Sequence, residues 1–197
     1  MLIGVTGYAK HGKDSIGRVL VEEYGFKRFA FADQLKSMAL VLNPYVDGKY
    51  SQRLYTLVQD AGWDNAKKEP EVRRFLQVLG TEAVRDHLGE DAWVKALELV
   101  MTDEGFLGRG AIGSAVVTDV RFPNEADWIH NKGGKLWRVS RHDKVYYGGG
   151  GDGVRVPFDN GLGTDHPSER YIKQLRADVE IDAYTLTELQ QKVRGLM

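Results

Sequence analysis

The chain lacks cysteine altogether, so it has neither disulfides nor thiolate-held zinc, a composition that fits a reducing cytoplasm. It also lacks an excess of either charge: 27 basic residues face 28 acidic ones, for a net charge of −1. That balance argues against a nucleic-acid coat, which normally carries surplus lysine and arginine. No stretch approaches the ~18 consecutive apolar residues that a membrane-spanning helix needs. No basic segment precedes an apolar one at the start, and the first residues already read as a core strand, so no secretory leader is expected. What is present is ordinary for a globular protein, 42% apolar and 28% charged. The expectation is one soluble, cytoplasmic domain over residues 1–197, large enough for a substantial core and a lid.

Along the chain, strand-like and helix-like patterns alternate. Leu2 to Thr6 is a short apolar run ending in Gly7, as a buried parallel strand would be. Ile16, Val19, Leu20 and Tyr24 then recur at helical spacing. "KRFAFAD" reads as a second strand, and Leu35, Met38, Ala39 and Leu42 as a helix stopped before Pro44. Residues 45–70 are polar and turn-rich, with Asp47-Gly48 and Pro70, and read as a mobile excursion. Helices are expected over roughly 71–88, 91–103 and 124–132, and strands at Ala115–Val117, "KLWRVS" and "ADVEID". A glycine-dense segment from Tyr146 to Glu169 breaks all periodicity, and 142–169 reads as a second mobile excursion or lid. A final helix is opened by the capping-box spacing Thr185-x-x-Glu188. Strands alternating with helices predict a three-layer α/β/α fold around a mainly parallel sheet of about five strands.

The richest stretch is "GVTGYAKHGKDSIGRVL". Gly7-x-x-x-x-Gly12-Lys13 sits between an apolar strand and an amphipathic helix, the context that makes a phosphate-binding loop credible. Its glycines let backbone N–H groups close round phosphate oxygens, and the helix N-terminus adds partial positive charge. Lys13 is placed to bridge the β- and γ-phosphates, and Lys10 belongs to the same nucleotide-binding loop. Asp14 stands where a hydroxyl usually ligates Mg²⁺, and Ser15 follows. Both are candidate metal ligands, since a hard cation prefers oxygen donors. The alternative is an ordinary turn capped by Asp14 or Ser15. "AVVTDVRFPNEA" adds Asp119 and Arg121 at the carboxyl end of a strand, where open α/β sheets bind ligands. They are read as catalytic, Arg121 facing the transferred phosphoryl group, with a simple rim ion pair as the alternative. Asn124 is expected to cap the helix that follows, and Glu125 to be a charge in its first turn rather than a functional group.

In "VRRFLQVLGTEAVRDHLGEDAWVKAL", Val72, Phe75, Leu76, Leu79 and Ala83 follow the spacing of a core face. Arg73, Gln77, Gly80 and Thr81 fall on a neighbouring face that suits one phosphate and a base, Arg73 making the forked contact. The bland alternative is a solvated face, but a mid-helix glycine costs about 1 kcal/mol and asks for a reason. Trp93 is a candidate to stack on or wall off a base, or else core. Lys36 is a candidate for the same phosphate, or else a surface lysine. A triphosphate loop with a separate monophosphate face points to phosphoryl transfer between nucleotides. Two rivals stand: another small-molecule P-loop kinase, acting on a coenzyme precursor or ribonucleotide, and a P-loop ATPase switch working through a partner. A metal site at Asp165-His166 is the lesser reading of "TDHPSE", which is expected to turn the chain and cap a helix at Ser168.

The form G-x-x-x-x-G-K-D-[ST], the segments "RRFLQVLGTEA…WVK" and "TDVRFPNEA", and the tail "TDHPSE…ADVEIDAYTLTEL" together resemble the bacteriophage deoxynucleoside monophosphate (dNMP) kinases. The likeness runs from Leu2 to about Val193. It implies a P-loop NTPase fold with a helical acceptor-binding or lid region, and the reaction ATP + dNMP → ADP + dNDP with Mg²⁺, supplying DNA synthesis. Lys13, Asp14 and Ser15 would serve ATP and its metal. Lys36, Arg73, Gly80, Thr81 and Trp93 would surround the acceptor, and Asp119 and Arg121 would flank the moving phosphate. The partners implied are these two small molecules, with no nucleic acid and no membrane, in a host cytoplasm if phage-encoded. Room is left for a homodimer. Compared with the T-even phage pattern, the region before the "RR" helix is much shorter and residues 148–153 are extra, so base contacts made there do not carry over.

Overall fold

The computed structural model describes residues 1–48, 51–145, 154–157 and 170–197, with backbone only for 144–145 and 154–157. Two compact units emerge: Met1–Ala30 with Met101–Met197, and Phe31–Val100.

The first unit is built on strands β1 (Leu2–Thr6), β2 (Lys27–Phe29), β5 (Ala115–Val117), β6 (Lys135–Val145) and β8 (Val179–Ala183). All are parallel in the order β2-β5-β1-β6-β8, with Gly4 of β1 opposite both Val117 and Leu136. The order places β1 at the centre, with both faces of the sheet available for cover. On one face Ile3, Val5, Val116, Trp137, Val139 and Ile181 pack with α1 (Lys13–Tyr24) and α8 (Leu186–Leu196) through Ile16, Val19, Leu20, Leu189 and Val193. On the other face α7 (Pro123–Asn131) packs on β1 and β6 and buries Ala126, Trp128 and Ile129. This is the expected three-layer arrangement, and its inner strands β1 and β5 are buried almost along their whole length because neither face meets water. β6 outruns the expected "KLWRVS", because its far half, His142–Val145, pairs antiparallel with β7 (Val154–Pro157).

At the opposite end of the sheet, the Asp178 carboxylate accepts the Leu136 N–H at 2.7 Å and faces His130 Nε2 at 3.0 Å. Partial burial pushes this carboxyl up, but the amide and the imidazole outweigh it and hold the group below its ordinary value. A carboxyl held low in the folded state stabilises above its unfolded pKa, and that contribution is lost as pH falls through the folded value. Melting temperatures should therefore show wild type above Asp178→Asn at neutral pH, with the gap closing as the pH falls below the ordinary aspartate range. A gap that persists unchanged in acid would remove the electrostatic account.

The second unit holds α2 (Phe31–Leu42), a hairpin of β3 (Tyr45–Val46) and β4 (Gln52–Arg53), α3 (Leu54–Ala66), α4 (Pro70–Val78), a π-helical turn (Leu79–Ala83) and α5 (Arg85–Leu88). α6 (Ala92–Asp103) crosses the division between the units at Val100. Its core joins Ala39, Val46, Leu54, Leu57, Val58, Val72, Leu76 and Trp93. Much of the stretch read as a turn-rich excursion is thus helical and supplies core residues. Two breakers misled that reading. Gly62 takes a left-handed φ of 74° inside α3, and Pro70 opens α4 at a position where its missing N–H loses nothing. Residues 49–50 and most of the second expected excursion, including Gly148–Gly153, Asp165, His166 and Ser168, lie outside the described residues.

Asn124 is not the cap of α7. Pro123 takes the first helical position after an extended Phe122, and Glu125 closes the helix start instead. Its Oε2 accepts the N–H groups of Arg121 at 2.8 Å and Phe122 at 3.2 Å while the residue is buried. The capping box on α8 forms as expected: Thr185 Oγ1 accepts the Glu188 N–H at 3.2 Å, and Glu188 Oε2 accepts that of Tyr184 at 2.9 Å.

Candidate phosphate-binding site

The loop from Gly7 to Gly12 leaves the carboxyl end of the central strand and turns directly into α1. Two glycines make this turn for different reasons. A Cβ on Gly7 would lie 2.5 Å from the Val139 carbonyl oxygen, so only glycine lets the loop lie flat on β6. Gly12 takes φ 102°, in the left-handed region that side chains avoid, and caps α1 without any side-chain acceptor. The opening amides of α1 consequently have no side-chain cap, which leaves the positive end of the helix available to an anion. Lys10 is also left-handed, at φ 63°, a conformation sustained only where the surroundings impose it.

The Lys13 ammonium folds back over the loop, donating to the carbonyl oxygens of Gly7 at 2.7 Å and Tyr8 at 2.8 Å. The loop is tied to β6 a second time where the Arg141 N–H donates to His11 Nδ1 at 3.2 Å. Beside it opens a cleft of about 320 Å³, whose walls include Lys10, His11, Gly12, Ser15, Arg141 and Tyr184. Sequence reading missed the far wall. The capping box located Thr185, but no local signal joins residues 183–189 to residues 10–15. Asp14 is exposed in the first turn of α1. Asp119 and Arg121 follow β5, which packs against α1, so the strand end and the loop belong to one unit.

Among the described residues no three carboxylates or histidines gather into a cage for a metal ion. An exposed carboxylate and a hydroxyl at a helix start are instead the partial donor set that suits Mg²⁺, which keeps its waters and takes its other ligands from phosphate. The residues present fit that cation.

Glu125 fixes the end of the turn that carries Asp119 and Arg121 by accepting the amides of Arg121 and Phe122. Glu125→Ala is expected to lower the melting temperature and to reduce turnover, and Glu125→Gln to restore most of both, because an amide oxygen accepts the same N–H groups. Retained turnover in the alanine variant would detach this turn from the chemistry.

The acceptor candidates fall in the second unit. Arg73 and Gln77, one turn apart on α4, are both exposed, as is Thr81. Lys36 pairs with Asp33 at 3.2 Å, a partly exposed contact of the kind worth at most about 1 kcal/mol and readily exchanged. Gly80 has a local explanation: its carbonyl accepts the Trp93 indole N–H at 2.9 Å, and a Cβ there would come within 3.1 Å of Leu35. Trp93 itself is 6% exposed and belongs to the core of this unit. Ala83, expected on the core face, is exposed and Val84 is buried in its place, because the π turn inserts one residue and shifts the phase. Two basic groups on β6 are met by acids: Arg138 pairs with Glu180 at 2.6 Å, and His142 Nε2 faces Asp182 at 2.9 Å.

A parallel sheet in this strand order, with a glycine loop joining its central strand to the first helix and a lysine at that helix's start, is the architecture of a P-loop kinase. The chain belongs to the deoxynucleotide monophosphate kinase family, whose profile matches residues 49–147. It is 29% identical over 149 residues to a candidate deoxynucleotide monophosphate kinase of Acanthamoeba polyphaga mimivirus, covering 72% of this chain and 74% of that one. Among solved structures it is similar in fold to TT1252 from Thermus thermophilus, with a TM-score of 0.51 at 15% identity over all of this chain and 95% of the other. Dephospho-CoA kinase from Campylobacter jejuni matches at 12% identity and a TM-score of 0.47 over 99% and 94%, too distant to bear on substrate. No helix among the described residues is long and apolar enough to cross a membrane.

Proposed function

We propose that the chain transfers the γ-phosphoryl group of ATP to a deoxynucleoside monophosphate. The observation that carries this reading is the open, uncapped start of α1, framed by Gly7 and Gly12 with Lys13 laid across the loop. Loop amides and the Lys13 ammonium would hold the triphosphate, with Lys10 and Ser15 along the cleft. Asp14 and Ser15 would hold Mg²⁺, which would supply positive charge to the phosphate oxygens. Arg73 and Lys36 would fix the acceptor phosphate, with Gln77, Gly80 and Thr81 toward its base. Arg121 would stabilise charge on the moving phosphoryl group, and Asp119 would accept the proton of the attacking phosphate or orient the metal's water. Family membership supports the acceptor class. A virus-encoded enzyme of this kind would work in the host cytoplasm.

The test is ADP release over a panel of dNMPs, ribonucleotides and coenzyme precursors. Turnover with one or more dNMPs and little with the rest is expected. Preference for another class would replace the acceptor, and turnover stimulated only by DNA or protein would replace kinase with switch.

A further inference from the structure

In the second unit, α4 buries Val72 and Leu76, and the phase of an unbroken helix would bury Ala83 next. Instead the five residues Leu79–Ala83 form a π turn and Val84 enters the core at 5% exposure. A π turn is an insertion of one residue into an α-helix. It loosens the hydrogen-bond ladder and survives mainly where it serves a site. Here the core does not require it: with one residue fewer, Val84 would fall at the phase of position 83 and still be buried. Arg73, Gln77 and Thr81 are all exposed on this segment, so an extra residue within Leu79–Ala83 bears on how Thr81 stands to the other two. The turn is held from behind, since the buried Trp93 donates its indole N–H to the Gly80 carbonyl at 2.9 Å. It is also backed by α2, where a Leu35 methyl would lie 3.1 Å from a Cβ at Gly80.

We propose that this π turn, locked by Trp93, is the positioning device of the monophosphate-acceptor face, and that Trp93 acts through Gly80 and Thr81 and not by stacking on a base. The inference rests on the acceptor reading above. Trp93→Phe keeps an aromatic ring in the core and removes the N–H together with the pyrrole part of the indole, and the melt reports the packing lost with it. Deletion of the exposed Glu82 shortens the π turn by one residue, so that the helix can close as α. Both are measured against wild type for melting temperature, circular dichroism and the separate Michaelis constants for dNMP and ATP. The expected result is folded proteins whose KM for dNMP rises about tenfold or more while that for ATP stays within about twofold, the mark of lost acceptor binding. A stacking tryptophan would tolerate phenylalanine, so an unchanged dNMP constant in Trp93→Phe overturns the proposal. Equal rises for both substrates overturn it as well, showing general loosening. Should the deletion variant fail to fold, Trp93→Phe decides alone. A wild-type enzyme that phosphorylates no dNMP removes the acceptor reading together with this inference, whereas active wild type with unaffected variants removes the inference only.

Discussion

Lys13→Ala will lose turnover by about 10²–10³-fold or more, the scale seen when a preorganised donor is taken from developing charge. The side chain lies over the loop, 2.7 Å from the Gly7 carbonyl oxygen, so its ammonium is already where the proposed function needs it. Binding a phosphate exchanges carbonyl acceptors for anionic ones, and the charge-assisted bonds that result are roughly twice as strong. Removing the ammonium also removes its two hydrogen bonds to the loop, so the melting temperature should fall by a few degrees at most. Coupled ADP release with saturating dNMP reads the first effect, and a thermal melt reads the second. Activity within about tenfold of wild type would take the loop out of the reaction.

Arg73→Ala will raise the Michaelis constant for dNMP by about 10- to 100-fold and leave that for ATP within about twofold. Hydrogen bonds to charged groups contribute about 1.5–3 kcal/mol each, and a guanidinium binds phosphate through two at once. Arg73 is exposed on α4, so its loss removes little packing and the fold should be indifferent. Arg73→Lys should recover only part of the affinity, because an ammonium keeps the charge without the planar fork. Parallel rises in both constants would show that this helix is not where the acceptor binds.

How much could be read beforehand depended on how local the signal was. β1, the loop and α1 lie within two dozen residues, and their apolar run, glycines and helical spacing each report on neighbours only. β5 was legible for the same reason, since an inner strand with two covered faces is apolar along its length. α3 was hidden by Gly62 and Pro70, which break helices in most contexts but here kink one and start another. Ala83 was misplaced because the helical period of 3.6 carries no provision for an inserted residue. Glu125 was given little weight from sequence, although a carboxylate two residues after a proline-opened helix start is well placed to bind the amides before it. The Tyr184–Leu189 wall of the cleft owed nothing to neighbours in sequence, and only β6 pairing with β8 brings it to the loop.

β6 continues without interruption from Lys135 to Val145, parallel to its neighbours for the first part and bonded to β7 for the last. The carbonyl that presses on Gly7 belongs to Val139, and the amide that holds His11 belongs to Arg141, one residue before the ribbon with β7 begins. One strand therefore serves as floor for the loop and as stem for that ribbon. A displacement of the stem would meet the loop's two contacts one and three residues along the same strand.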